Sequence, residues 1–380
     1  MALDHFDVTR NTTKTVLNAQ GVLETVPANV PAFEFNPDGT YKGCLIEPAS
    51  TNKVERSENF ADAFWDKINI DLTSNFAIAP DGTETADLID VAVSGTSRIS
   101  KNFDASDFDN DTDYTISCFF KAQGSNRVGI RARDNDDTGC AATFDIENGA
   151  VVFEQNAVGK IIPYPNGWFR CIMTYNSGTG TETGLDFRFI QLLPPNFDGN
   201  ISASDPGDSV LAWGVQFEEG SVATSYIPTT DSAATRNSDV IAKTGASGLI
   251  GQDEGSLYAE IDINKFLPSN ELRTVVGIKD ARIFINGTAI VSRSLSAGVG
   301  SLLMGINKIV VTYTNNFANY KLYANGVDIG SETGSAQGII DSIGVGSRHL
   351  NGDRFLNDHI RSVALYKRAL TQSEAEALTS

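Results

Sequence analysis

Short apolar runs broken by turn residues recur along this chain, and their period is two. Leu257, Ala259, Ile261 and Ile263 alternate with Tyr258, Glu260 and Asp262. Val128, Ile130 and Ala132 alternate with Arg127, Gly129, Arg131 and Arg133. Successive side chains of a strand point to opposite faces, so the pattern predicts strands with one buried face. Residues 114–120 are apolar on both faces, and further strands are predicted over 168–175, 185–192, 210–217 and 360–366. Asn148-Gly149, Asn286-Gly287 and Asn325-Gly326 mark hairpins. At Asn148-Gly149 a type I′ turn is expected, with positive φ at both residues. The one helix predicted is terminal. Thr371-Gln372-Ser373-Glu374 fits a capping box, and a helix so short needs a surface to dock on.

Strands at this spacing, without helices between them, predict antiparallel sandwiches. The expected fold is all-β: two tandem antiparallel β-sandwiches with an extended N-terminal arm and a short C-terminal helix. Residues 1–50 read as the arm, in which Phe33-Glu34-Phe35 alternates and Asp38-Gly39 turns. Residues 51–235 read as a sandwich or jelly roll, 236–250 as a linker and 251–380 as a second sandwich. No 20–50-residue repeat marks a solenoid.

Composition narrows the classes. The 380 residues are 41% hydrophobic, enough to bury real cores, and 34 glycines fit many tight turns. The formal net charge is −19. From Val240 onward there are 13 basic and 13 acidic residues, leaving 16 basic and 35 acidic before it. That acidic excess argues against nucleic-acid binding, which needs a basic surface. Cys44, Cys118, Cys140 and Cys171 form no C-x-x-C pair and read as small buried hydrophobes. The start, Met1-Ala2-Leu3-Asp4-His5-Phe6, has neither the basic nor the apolar segment of a signal peptide. No run of 18 apolar residues suggests membrane insertion.

Two stretches carry resemblances. The first runs from Asn29-Val30-Pro31-Ala32-Phe33-Glu34-Phe35 through Gly43-Cys44-Leu45-Ile46-Glu47-Pro48-Ala49-Ser50-Thr51-Asn52 and Arg56-Ser57-Glu58-Asn59-Phe60 to Trp65. It resumes at Trp213-Gly214-Val215-Gln216-Phe217-Glu218-Glu219-Gly220, Thr224-Ser225-Tyr226-Ile227-Pro228-Thr229-Thr230 and Thr235-Arg236. This resembles a module of bacteriophage tail, fibre and other virion structural proteins, whose members look like carbohydrate-binding jelly rolls. The second stretch is similar to laminin-G-like, concanavalin A-like lectin and glucanase domains. It rests on Lys321-Leu322-Tyr323-Ala324-Asn325-Gly326 and on the ending Ile360-Arg361-Ser362-Val363-Ala364-Leu365-Tyr366-Lys367-Arg368-Ala369-Leu370-Thr371. A fold does not by itself set a function.

Glu260 and Asp262 share a strand face, as a retaining glycosidase pair would, but the third position of the glucanase-like Glu-x-Asp-x-Glu is Asn264. They read as a solvent face. Asp107, Asp109, Asp111 and Asp113 alternate in a loop and could hold calcium, as could Asp134, Asp136 and Asp137. Neither run has the glycine and glutamate of an EF-hand, and a solvated acidic loop is the plainer reading. His349, near Arg348, Asp353, Arg354 and Asp358, could serve a lyase, though nothing in the sequence fixes that geometry; His5 and His359 complete the histidines. Trp213 is read on one face with Val215 and Phe217, as core. Trp65 and Trp168 are read as packing, and Tyr258, Tyr313 and Tyr320 as candidate exposed sugar contacts.

Together these features lead to the expectation of a non-enzymatic bacteriophage virion structural protein: a fibre, appendage or capsid-surface component that adheres to host-surface glycans. The partners implied are other virion proteins and host polysaccharide, with no nucleic acid and no membrane insertion. A homo-oligomer is expected, a trimer by analogy with other fibres, because multivalency strengthens weak contacts. The location implied is the virion, assembled in the host cytoplasm. The alternatives are a purely architectural capsid decoration protein, a polysaccharide depolymerase, and a secreted adhesin. No cofactor beyond the calcium is implied.

Overall fold

The computed structural model describes residues 6–104, 108–133, 139–180, 185–264, 272–278, 281–292, 300–347 and 354–380. The chain is nearly all β, and all its strand pairs are antiparallel among the described residues. Two pairs of sheets enclose two main cores.

The middle of the chain builds the first sandwich. Sheet I runs in the order Ala150–Gln155, Gly139–Asp145, Arg127–Arg133, Leu185–Leu192, Arg98–Phe103, Asp66–Ile68. Sheet II runs Val158–Pro163, Phe169–Asn176, Asp113–Ala122, Ser209–Glu219, Ala86–Val91, Ile70–Ala77. The alternation read from sequence puts Val128, Ile130 and Ala132 into the core between them, against Ile116, Cys118 and Phe217. Cys171 faces Cys118 across neighbouring strands, and all four cysteines are buried thiols outside any disulfide.

Strand pairing revises the tandem order and the extended arm. Tyr41–Ile46 pairs with Asp358–Tyr366, and Phe33–Phe35 adds to its other side. Asp7–Thr9 pairs with Val240–Thr244. Both sheets of the second sandwich are therefore built from the two ends of the chain. Sheet III is Val327–Thr333, Asn319–Ala324, Gly305–Thr314, Gly255–Ile263, Asp358–Tyr366, Tyr41–Ile46, Phe33–Phe35. Sheet IV is Asp7–Thr9, Val240–Thr244, Ser342–Val345, Leu272–Ile278, Ala281–Asn286, Ala289–Ser292, Gly300–Ser301. The chain enters the first sandwich at Ser50–Asn52 and leaves at Ala234–Arg236, two strands that pair with each other. The physical reason is edge coverage: Asp358–Tyr366 and Val240–Thr244 would otherwise expose unpaired backbone groups, which the early strands satisfy.

Local chemistry accounts for several details. Asn325 and Gly326 have φ of 50° and 81°, as a type I′ hairpin requires. The turn at Asn148-Gly149 differs from expectation. Only Gly149 has positive φ, at 70°, and the loop spans 146–149. The Asp145 carboxylate accepts the backbone N–H groups of Glu147 and Asn148 at 3.0 and 2.9 Å, and this side-chain turn replaces the tighter one. The Gln372–Thr379 helix has the capping box between Thr371 and Glu374. It docks Ala375 onto Tyr258, Val310 and Tyr323 on the outer face of sheet III.

Candidate functional site

The sandwiches meet at a junction crossed by buried charges. Asp239 receives the Arg10 guanidinium on one oxygen and the Lys14 ammonium on the other, each at 2.7 Å. Lys14 also reaches Glu47 at 2.9 Å, and Glu47 accepts the backbone N–H of Ser225 at 2.8 Å. Burial pushes the Glu47 carboxyl up, but Arg236 and Lys14 outweigh it and hold the group well below the usual carboxylate range. Buried charges persist only when paired and hydrogen-bonded, as here.

Beside this junction lies a cavity of about 620 Å³ between the two sandwiches. The strands Val158–Pro163 and Phe169–Asn176 form one wall and contribute Val158, Lys160, Ile162, Thr174 and Asn176. Glu34, Phe35, Lys42, Asn264 and His359 line the side of the second sandwich. Leu17, Leu45 and the buried Arg170 also border it. Arg170 donates to the Thr224 carbonyl at 2.8 Å and to Ser117 Oγ at 2.9 and 3.2 Å. Among the described residues Lys160 donates to the Asn264 carbonyl at 3.4 Å, and burial pushes its pKa down.

His359 sits in the cavity wall with both ring nitrogens occupied. Nε2 lies 2.6 Å from Glu34 Oε2, and Nδ1 lies 3.0 Å from Asp358 Oδ1. Asn264 supports the pair, its amide donating to Asp358 Oδ1 at 2.9 Å. A general acid or base needs a ring nitrogen facing substrate; here both face carboxylates of the protein. The arrangement ties Phe33–Phe35 to Asp358–Tyr366 and can orient a bound polar molecule through Glu34 and Asn264. Glu34 is the residue that sequence reasoning missed: 325 positions separate it from His359.

The other candidates fall as follows. Glu260 gives one oxygen to Arg361 Nε at 2.8 Å and the other to the Tyr258 hydroxyl at 3.1 Å, so it is a strut on the face of sheet III. Asp109, Asp111 and Asp113 are exposed, and Asp113 accepts the Asn176 amide at 3.0 Å. Asp107, the run Asp134, Asp136 and Asp137, and His5, Arg348, His349 and Asp353 lie outside the described residues. Among the described residues no three His, Cys, Asp or Glu side chains converge on a cation position. No helix among them is long and apolar enough to cross a membrane.

The aromatic expectations divide. Trp65, Trp168 and Trp213 are buried, and their indole N–H groups donate to the Arg56 carbonyl, the Ile78 carbonyl and Thr85 Oγ1. Tyr258, Tyr313 and Tyr320 are buried too, which corrects their reading as exposed contacts: the terminal helix covers Tyr258, and Tyr313 stacks on Phe317 at 4.0 Å. Trp213 does not share a face with Val215 and Phe217. It packs with Phe119, Trp168 and Tyr226 in a separate cluster, because a bulge at Gly214, with φ of 64°, inverts the alternation.

No described protein family matches the chain, and no curated protein does. Several solved structures show partial likeness. The CBM40 module of a Ruminococcus gnavus sialidase, bound to α2,3-sialyllactose, aligns with a TM-score of 0.27 at 15% identity, over 37% of this chain and 93% of the module. Domain 4 of a Geobacillus stearothermophilus extracellular arabinanase, bound to arabinotriose, aligns at 0.28 and 19% identity, over 42% and 84%. Domains LG4-5 of the mouse laminin alpha1 chain align at 0.22 and 11%, over 84% and 94%. Likenesses this low carry no functional argument, so function rests on the site itself.

Proposed function

We propose that this protein is a non-enzymatic structural component of a bacteriophage particle that adheres to host-surface glycans, with the inter-sandwich cavity as a glycan site. The observation that carries the binding role is the cavity. Amide and hydroxyl groups of Asn176, Thr174 and Asn264 stand beside apolar Val158, Ile162 and Phe35, on walls that the buried charges hold together. Sugars need this mixture, with polar groups for hydroxyls and apolar surface for C–H faces. The non-enzymatic part is supported by His359, whose ring nitrogens are both engaged. The virion part rests on the sequence phrases between Asn29 and Arg236, and assembly with other virion proteins as a homo-oligomer belongs to the same reading. Rigid sandwiches carrying several copies of a weak site suit adhesion.

The test is retention of the full chain on purified host-surface polysaccharide, together with immunogold labelling of particles. Retention that falls at least about tenfold in a Lys160→Ala, Asn176→Ala double variant is expected, the loss of two polar contacts. Retention unchanged by the variant removes the cavity as the site. Release of reducing ends would support the depolymerase instead. Label on tail or fibre is expected; label absent from every particle would overturn the virion reading.

A further inference from the structure

The charges in the walls of the inter-sandwich cavity do not cancel. Glu34 has Lys42 at 3.3 Å and His359 at 2.6 Å. Asp358 has His359 at 3.0 Å. Glu47 has Lys14 at 2.9 Å and Arg236 at 3.5 Å. Each of these carboxylates therefore has a basic partner inside the protein. Asp113, also in the wall, is exposed and takes the Asn176 amide at 3.0 Å. Lys160 and Arg170 differ. Among the described residues Lys160 donates to the Asn264 carbonyl, and Arg170 to Ser117 Oγ and the Thr224 carbonyl, all neutral oxygens. Among the described residues no carboxylate forms a salt bridge with either cation.

Register places the two cations on one wall. Lys160 pairs with Ile172, and Ile162 with Arg170, across neighbouring strands. Lys160 and Arg170 are thus diagonal neighbours on the same face, about 7–8 Å apart. Ile161 and Cys171 point the other way, into the core of the first sandwich. Arg170 is buried, whereas Lys160 is exposed. Lys42 brings a third cation to the cavity from the second sandwich. Burial lowers the Lys160 pKa, Asp358 opposes this, and the like charge of Lys42 adds to the lowering. The residual charge of the walls is positive, in a chain whose net charge is −19. Charge of one sign around a concave, partly apolar space focuses its field there.

We infer that the saccharide taken by this cavity carries a carboxylate, seated against Lys160 with the Arg170 charge behind it. The inference rests on the reading of the cavity as a glycan site and adds the class of glycan. An ammonium gives a carboxylate a charge-assisted hydrogen bond, stronger than any it gives a neutral hydroxyl. The three hydrogen bonds of Arg170 fix its charge in place, and the flexible Lys160 stem lets the ammonium follow the ligand. The rest of the wall suits the uncharged part of a sugar. Thr174 and Asn176 continue the row of Arg170 and Ile172 at every second residue, so their hydroxyl and amide groups share its face. From the second sandwich the half-buried Phe35 offers a ring to a C–H face.

The test titrates the full chain calorimetrically with trigalacturonate, with N-acetylneuraminate and with neutral galactotriose. One acidic sugar is expected to bind at least about tenfold more tightly than galactotriose, the advantage of a charge-assisted bond. Added salt should shrink that advantage by screening. Lys160→Gln should remove most of it, and Lys160→Glu should reverse it. Both replace an exposed side chain, and thermal unfolding checks that the variants stay folded. Preference for trigalacturonate assigns a ring-borne carboxylate, and preference for N-acetylneuraminate an anomeric one. Acidic sugars that bind no more tightly than galactotriose overturn the inference; if Asn176→Ala still weakens galactotriose, the cavity remains the glycan site. An acidic preference that both Lys160 variants keep overturns the inference as well. If Asn176→Ala then leaves every affinity unmoved, the cavity reading falls with it.

Discussion

Glu34 Oε2 lies 2.6 Å from His359 Nε2, and that contact joins the strand Phe33–Phe35 to the strand Asp358–Tyr366 from opposite ends of the chain. Lys42 flanks Glu34 at 3.3 Å, and Asp358 holds the other ring nitrogen at 3.0 Å. Burial lowers the His359 pKa, but Asp358 and Glu34 outweigh it and raise the group above its ordinary 6.5. Burial raises Glu34, but His359 prevails and holds it at about 2, against an ordinary 4.5. The stabilisation from His359 is therefore full below pH 6.5 and lost as pH rises through its folded value. That from Glu34 is full above pH 4.5 and lost as pH falls towards about 2. The contact is strongest between those limits. His359→Gln should cost about 2 kcal/mol in that window, as for a hydrogen bond between charged groups, and much less in alkali. Denaturant midpoints across pH check this; an equal loss at every pH would show that the charge of His359 contributes nothing.

Asp239 joins the early and late segments of the second sandwich where the first one is inserted. Asp239→Ala leaves Arg10 and Lys14 buried without their shared counter-charge. The expected loss is about 3–5 kcal/mol in urea unfolding. A loss below about 1 kcal/mol, the size of an exposed pair, would mean that the junction admits water.

Gly214 produces the bulge that turns Trp213 outward. Its φ is 64°, and a Cβ there would lie 3.1 Å from Phe119 and 3.3 Å from the Tyr226 ring. Gly214→Ala should destabilise by about 1–2 kcal/mol and shift Trp213 fluorescence. An unshifted spectrum and unchanged stability would show that the bulge tolerates a side chain.

The four thiols should be silent in the native state. Burial pushes Cys44 up to about 12 and Cys118 and Cys171 above their ordinary value. Since the thiolate is the reacting form, a thiol reagent should modify none of them before unfolding and all four in denaturant. Rapid native labelling of any one would contradict its burial.

The sequence by itself determined the local elements. Period-two alternation at Leu257–Ala259–Ile261–Ile263 and Val128–Ile130–Ala132 gave the strands and their buried faces, because side-chain direction in a strand depends only on position. Thr371 and Glu374 marked the helix start, since both capping partners lie within four residues. Tertiary structure decided what depends on distant partners. The edges of sheets III and IV recruited residues 7–9, 33–35 and 41–46, a pairing that alternation cannot specify. One inserted residue at Gly214 reversed the face of Trp213, because a strand's register shifts with each extra residue. The cavity walls come from strands far apart in sequence. Burial and charge pairing are properties of the assembled sheets, and a linear pattern does not contain them.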